Sequence, residues 1–205
     1  GSDGRYKGEL GLMTSRERVL RSLNFAHPDR VPRDLWQLPV AQTEHGDAIG
    51  DLLDRWPTDF SGPAAGAKGV GELTSGDPFV PGLYRDEWGC VFENVHAGVM
   101  GQVKDPMLDD WSMIEQVRPP WEALDIDVDA VNRGCAASDR FVFAGCCPRP
   151  FERMQFIRGT ENLMMDLLEN PDQVQRLLDI VHDFHCRELE AWMKTAVDGI
   201  TFMDD

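Results

Sequence analysis

The sequence predicts an α/β fold built on parallel strands, and three stretches carry that prediction. Arg140-Phe-Val-Phe-Ala-Gly145 is a short apolar run that leads into a helix from about Phe151. Residues 171–195 show helical periodicity over a long stretch, and Asp198-Gly-Ile-Thr-Phe-Met-Asp-Asp205 reads as a buried parallel strand. Strand, helices, strand is the βαβ rhythm of a parallel sheet or barrel. The last strand ends on two carboxylates where a helix is expected, so the chain reads as cut in mid-fold. In such folds ligands lie beyond the carboxyl ends of the strands, the place of Cys146, Cys147, Asp204 and Asp205.

The elements follow in order. Residues 1–12 begin Gly-Ser and lack apolar periodicity, so they read as a non-native leader ahead of a natural start at Met13, with one fold unit over 13–205. Thr14-Ser-Arg-Glu17 has capping-box spacing and predicts a helix through about Asn24. Residues 30–36 form a candidate first strand, in which Pro32 is tolerable only near the beginning. Ile49, Leu52, Leu53 and Trp56 have helical spacing and predict a helix over 44–56. Residues 57–81, rich in Gly, Pro, Ser and Ala, predict a long loop of the kind that often forms a binding surface. Residues 84–93 and 97–103 predict two antiparallel, peripheral strands joined by a turn at 94–96. Short helices are expected over 109–117 and 127–137, the first ended by Pro119-Pro120. Asn170, Pro171 and Asp172 mark a helix start, followed by a stripe of Val174, Leu177, Leu178, Val181, Leu189 and Trp192.

Composition narrows the function. The 205 residues are 42% hydrophobic, enough for a sizeable core, and a formal net charge of −16 repels phosphate backbones and anionic lipid surfaces. Nucleic-acid and membrane partners are therefore not expected. No apolar run approaches the roughly 18 residues needed to cross a bilayer and no signal peptide is evident, so the cytoplasm is the default location. The five cysteines are odd in number and lack CxxC spacing, and they read as reduced thiols.

Several constellations bear on chemistry. His182, His185 and Cys186 share a helix at i, i+3 and i+4, but His185 falls within the apolar stripe while Cys186 points about 100° away from it, which favours packing over a metal site. Cys146 and Cys147 follow a strand and point apart, so they cannot readily ligate one metal; a thiol lining a pocket is preferred. Asp204 and Asp205 are the stronger candidates. Carboxylates after an apolar strand are costly unless they meet solvent, substrate or metal, the bland alternative being a cap on the next helix. Gly66-Ala-Lys-Gly-Val-Gly71 matches neither a phosphate loop nor a dinucleotide motif.

An ordered set of segments resembles the uroporphyrinogen decarboxylase superfamily, above all its corrinoid-linked methyltransferase branch. The set comprises Arg16-Glu-Arg-Val-Leu20, Pro28-Asp-Arg-Val-Pro32, Asp86-Glu-Trp-Gly89, Phe151-Glu-Arg-Met-Gln-Phe-Ile-Arg-Gly159, Leu163-Met-Met-Asp166, Asn170-Pro171 and the final eight residues. The resemblance implies the N-terminal part of a (β/α)8 barrel, truncated relative to the roughly 250 residues of a full one. It implies a methyltransferase that moves a methyl group between a small methylated substrate and a corrinoid carried by a partner protein, this chain being an incomplete, inactive portion. Asp204, Asp205, Trp36, Gln37, Cys146 and Gln155 are the implied pocket residues; a homodimer is compatible. Zinc, which stabilises thiolates and acts as a Lewis acid, would come from later strands, and no residue here is assigned as a ligand. True decarboxylases carry an Arg-Gln-Ala-Gly-Arg-Tyr segment where this chain has Asp34-Leu-Trp-Gln-Leu-Pro-Val40. They carry a Tyr at the place of Gln155, and Asp59-Phe-Ser61 is the counterpart of their catalytic Asp setting. A decarboxylase-like carboxy-lyase is the second reading and a non-catalytic binding subunit the third.

Overall fold

A computed structural model describes residues 13–204; the expectations for the leader at 1–12 and for Asp205 lie outside the described residues. The first helix, α1 (Ser15–Leu23), starts as its capping box dictates. Thr14 Oγ1 accepts from the Glu17 N–H at 3.2 Å, and Glu17 Oε2 accepts from the Thr14 N–H at 2.9 Å. Residues 30–36 are not a strand. Pro32 lacks a ladder donor, and the Arg30 guanidinium and Arg33 N–H are both drawn to the Asp59 carboxylate, which carries the segment across the next strand. The helix expected over 44–56 is longer: α2 (Pro39–Arg55) begins with Pro at its first turn, kinks at His45 and buries no residue fully.

The region 57–81 contains a strand that composition hides. β1 (Phe60–Ser61) pairs in parallel with β5 (Phe141–Val142), matching Phe60 with Phe141 and Ser61 with Val142. Two residues are too few to show a period, so only the partner strand reveals it. Phe143 then bridges Gly199, again in parallel, and Ala144 N–H donates to the Gly199 carbonyl at 2.8 Å. The predicted last strand is thus present as this single bridge. Asp198 anchors it: Oδ2 accepts from the Val142 N–H at 2.8 Å and from Arg16 Nε at 2.9 Å. Phe60, Phe141 and Phe143 cluster on one face, the Phe60 and Phe143 rings stacked at 5.2 Å.

The antiparallel region is also rearranged. The single strand expected over 84–93 folds on itself into β2 (Gly82–Arg85) and β3 (Val91–Asn94), with β4 (Gln102–Val103) added beyond β3. Asp86 makes the turn, Oδ1 accepting from the N–H groups of Trp88 (3.1 Å) and Cys90 (2.8 Å), and Gly89 supplies the positive φ. The sheet is not peripheral, because Trp88, Cys90 and Phe92 lie in the larger core. The helix expected over 109–117 is a 3₁₀ turn, Trp111–Gln116. Helix α3 (Val128–Ala137) is capped by Asp127, which accepts from the Ala130 N–H at 3.0 Å.

After β5 come α4 (Pro150–Arg158), α5 (Thr160–Glu169) and α6 (Pro171–Trp192), the first two separated by Gly159 at φ +83°. Asn170 does not cap α6 with its side chain; Nδ2 donates instead to Asp166 at 2.7 Å, and the backbone carbonyl receives the first helical N–H groups. One larger apolar cluster joins the hairpin to α4, α5 and the first half of α6 through Phe92, Leu108, Ile157, Leu163, Leu177, Val181 and Phe184. Each such side chain contributes about 1.5–3 kcal/mol by burial. A second cluster joins β5, α3 and the end of α6 through Val131, Val142, Ala144, Cys146 and Trp192. Helix α6 spans both. The described residues are therefore mixed α/β, with a small parallel sheet and a three-stranded antiparallel one, and they close no barrel. No described helix is long and apolar enough to cross a membrane.

Candidate functional site at the carboxyl end of β5

Where β5 ends, Gly145, Cys146 and Cys147 lead the chain into a cleft between the two core clusters. Two adjoining cavities make up the cleft, of about 370 Å³ and about 420 Å³, and Glu87, Cys147, Arg153 and His185 line both. Side chains reach it from β2, β3 and the turn between them, from α4 and α6, and from Val70 and Ala123. Gly145 is required at the floor, because a Cβ there would sit 2.8 Å from the Trp192 ring.

The polar groups are paired. Arg153 from α4 is bound by the carboxylates of Asp86 and Glu87 and lies over the rings of Trp88 (5.3 Å) and Phe156 (5.5 Å). Burial alone would lower its pKa, but those two carboxylates raise it, so the guanidinium stays charged. Arg149 pairs with Glu152 at 2.9 Å. On α6, His185 Nδ1 lies 3.0 Å from Glu188 Oε2. An ionised carboxylate can only accept, so Nδ1 carries a proton, and in the uncharged tautomer Nε2 is the acceptor. Nε2 is buried and has no partner. A hydrogen-bond donor in the cleft, solvent or ligand, would satisfy it.

Cys146 is buried, and burial, then the Glu188 carboxylate and Cys147, push its thiol up to about 12. It is a packing thiol of low nucleophilicity. Cys147 is half-buried.

Of the residues selected from sequence, Cys146 and Cys147 line the cleft, while Trp36, Gln37, Gln155 and Asp204 do not line these cavities. Trp36 is 72% exposed. Gln37 is half-buried with Oε1 unpartnered. Gln155 is half-buried on α4 and accepts from the Thr160 hydroxyl at 3.2 Å. Asp204 caps α4: its two carboxylate oxygens accept from the N–H groups of Phe151 and Glu152, both at 2.9 Å. The helix it caps precedes it in sequence, rather than following it. Asp205 lies outside the described residues.

Asp59 is fully buried at the start of β1, the end of the parallel strands opposite the cleft. It accepts from Arg18 Nη1 and Arg30 Nη1, both at 2.6 Å, and from the Arg33 N–H at 2.7 Å. Such a carboxylate locks structure and is not free to react. His182 and Cys186 are exposed, Nε2 and Sγ 3.6 Å apart, while His185 turns to the core side of α6. Among the described residues no group of three or more His, Cys, Asp or Glu is disposed to hold a metal.

Sequence reasoning missed His185, Glu188, Arg153, Asp86 and Glu87 as cleft residues. The i, i+3 spacing of His185 and Glu188 was a usable signal, since it puts both on one helix face. Asp86, Glu87 and Arg153 sit in motifs already singled out, but nothing in their spacing shows that they meet. Comparison with family models, with curated proteins and with solved structures finds no match.

Proposed function

We propose that this chain forms part of a (β/α)8 barrel of the uroporphyrinogen decarboxylase superfamily. In this reading it serves a methyltransferase that moves a methyl group between a small methylated substrate and a corrinoid carrier. The observation that carries the reading is the position of the cleft, immediately after β5, at the carboxyl end of strands that run parallel from β1 through β5 to Gly199. Barrel enzymes bind substrate at that end. The cleft's two parts, about 370 Å³ and 420 Å³, are of small-molecule size.

The decarboxylase-like reading is disfavoured by charge. The cleft carries four carboxylates, Asp86, Glu87, Glu152 and Glu188, against two guanidiniums, Arg149 and Arg153, and both guanidiniums are already paired. A polycarboxylate would meet like charge there and find no free cation. Zinc has no ligand set among the described residues, so no step is routed through it.

The test is methylation of cob(I)alamin by the protein that contains this chain, offered a panel of methylated amines, ethers and thiols. Methylcobalamin should form, and His185→Ala should slow it by about 100-fold or more if the imidazole moves a proton in the reaction. Absence of methylcobalamin together with carbon dioxide release from a porphyrinogen would refute the reading.

A further inference from the structure

We infer that the cleft takes a small organic ammonium ion bearing at least one N–H, which donates to His185 Nε2. This deepens the methyltransferase reading by naming the charge class of its substrate, and it rests on that reading only for the use made of the bound molecule.

Three independent observations converge. First, charge: the carboxylates of Asp86, Glu87, Glu152 and Glu188 outnumber the guanidiniums of Arg149 and Arg153 by two, in a chain whose formal charge is −16. A monovalent cation entering the cleft relieves this excess, whereas an anion adds to it. Second, shape and surface: the rings of Trp88 and Phe184 wall one cavity, and those of Tyr84 and Phe156 wall the other. Aromatic faces attract alkylammonium groups, and Arg153 already sits over two of these rings, so the walls accept a cation. Third, direction: His185 lines both cavities, its Nδ1 is committed to Glu188, and its Nε2 is buried without a partner. A fully substituted ammonium cannot satisfy that atom. A tertiary, secondary or primary ammonium can.

The distinction between classes is the test. Binding of trimethylammonium, tetramethylammonium and acetate is measured calorimetrically at pH 8, with the ¹⁵N shifts of His185 followed in parallel. Trimethylammonium should bind at least about tenfold more tightly than tetramethylammonium and move the Nε2 resonance, and acetate should not bind. His185→Gln should abolish the preference for N–H, and Glu87→Gln, which leaves the histidine in place, should weaken both cations together. Equal binding of the two ammonium ions, tighter binding of acetate, or an unmoved Nε2 resonance would overturn the inference. Neither corrinoid nor zinc is present in this assay. Ammonium binding without methyl transfer would therefore sink the methyltransferase reading alone, and methyl transfer from an ether without ammonium binding would sink this inference alone.

Discussion

Replacing Asp59 with Asn tests whether this carboxylate is a structural lock or a catalytic group. The side chain is fully buried and accepts hydrogen bonds from Arg18 Nη1, both terminal nitrogens of Arg30 and the Arg33 N–H, at 2.6–2.9 Å. Asn keeps one acceptor, loses the charge and turns an NH₂ group toward donors. Removing one partner of a buried ion pair costs about 3–5 kcal/mol. Arg18 keeps Asp29, with contacts at 2.5 and 2.8 Å, and Arg30 is partly exposed, so the lower end, about 3 kcal/mol, is expected. That corresponds to about 10 °C in Tm for a chain of this size. Burial works to raise the Asp59 pKa, but hydrogen bonds from Arg30, the Arg33 N–H, Ser15 and Arg18 overcome it and hold the group well below the usual carboxylate range. Its stabilisation is therefore complete above about pH 4 and is lost as pH falls from there toward the folded-state value. Urea denaturation at pH 7 and at a series of pH values down to 3 gives both quantities. Asp59→Asn should unfold at lower urea at pH 7, and its deficit should shrink as the pH drops below 4. A deficit under about 1 kcal/mol at pH 7, or one that grows on acidification, would refute the lock.

Two further outcomes follow from the cleft and its surroundings. Alkylation at pH 8, mapped by peptide mass, should label exposed Cys186 first and leave Cys90 and Cys146, both pushed up to about 12 chiefly by burial, unlabelled until denaturant is added; labelling of Cys146 as fast as Cys186 would overturn the packing role. Asp204→Ala should cost about 1 kcal/mol in urea denaturation through loss of the α4 cap, with ligand affinity in the cleft unchanged, and a loss of affinity would return Asp204 to the pocket.

The legible parts of this sequence were those decided within one or two helical turns. The α1 capping box, the Asp127 cap of α3 and the core stripe of α6 each depend on residues three or four apart, and all form as their spacing requires. Four of the stripe residues, Val174, Leu177, Val181 and Trp192, are buried. Errors arose where a distant partner decides. β1 has two residues and exists because Phe141 N–H donates to the Asp59 carbonyl and Phe143 N–H to that of Ser61. The segment 30–36 was read for its local β-propensity, yet Asp59, about 25 residues away, captures its arginine and its backbone. The predicted strand 84–93 failed differently. Its turn residues, Asp86 and Gly89, were visible but were outvoted by the flanking aromatics, which belong to two strands instead of one.

The cleft was hidden for the same reason in a sharper form. Its charge balance depends on Arg153 meeting Asp86 and Glu87 across more than sixty residues of sequence, and its unsatisfied atom depends on Glu188 taking only one of the two nitrogens of His185. Neither fact is periodic, so pattern reading rated His185 as packing, which half of its environment supports: the ring lies 5.4 Å from Phe184 and 6.3 Å from Trp88. What sets it apart from a satisfied core histidine is the missing partner at Nε2 beside an open cavity. A histidine kept only for packing gains nothing from a buried, unpaired lone pair, and substitution by Leu or Phe would remove that cost. An imidazole there, with Nδ1 directed to a carboxylate, fits a ligand that completes the hydrogen bond at Nε2, and the excess of acid around it favours a ligand that arrives with positive charge.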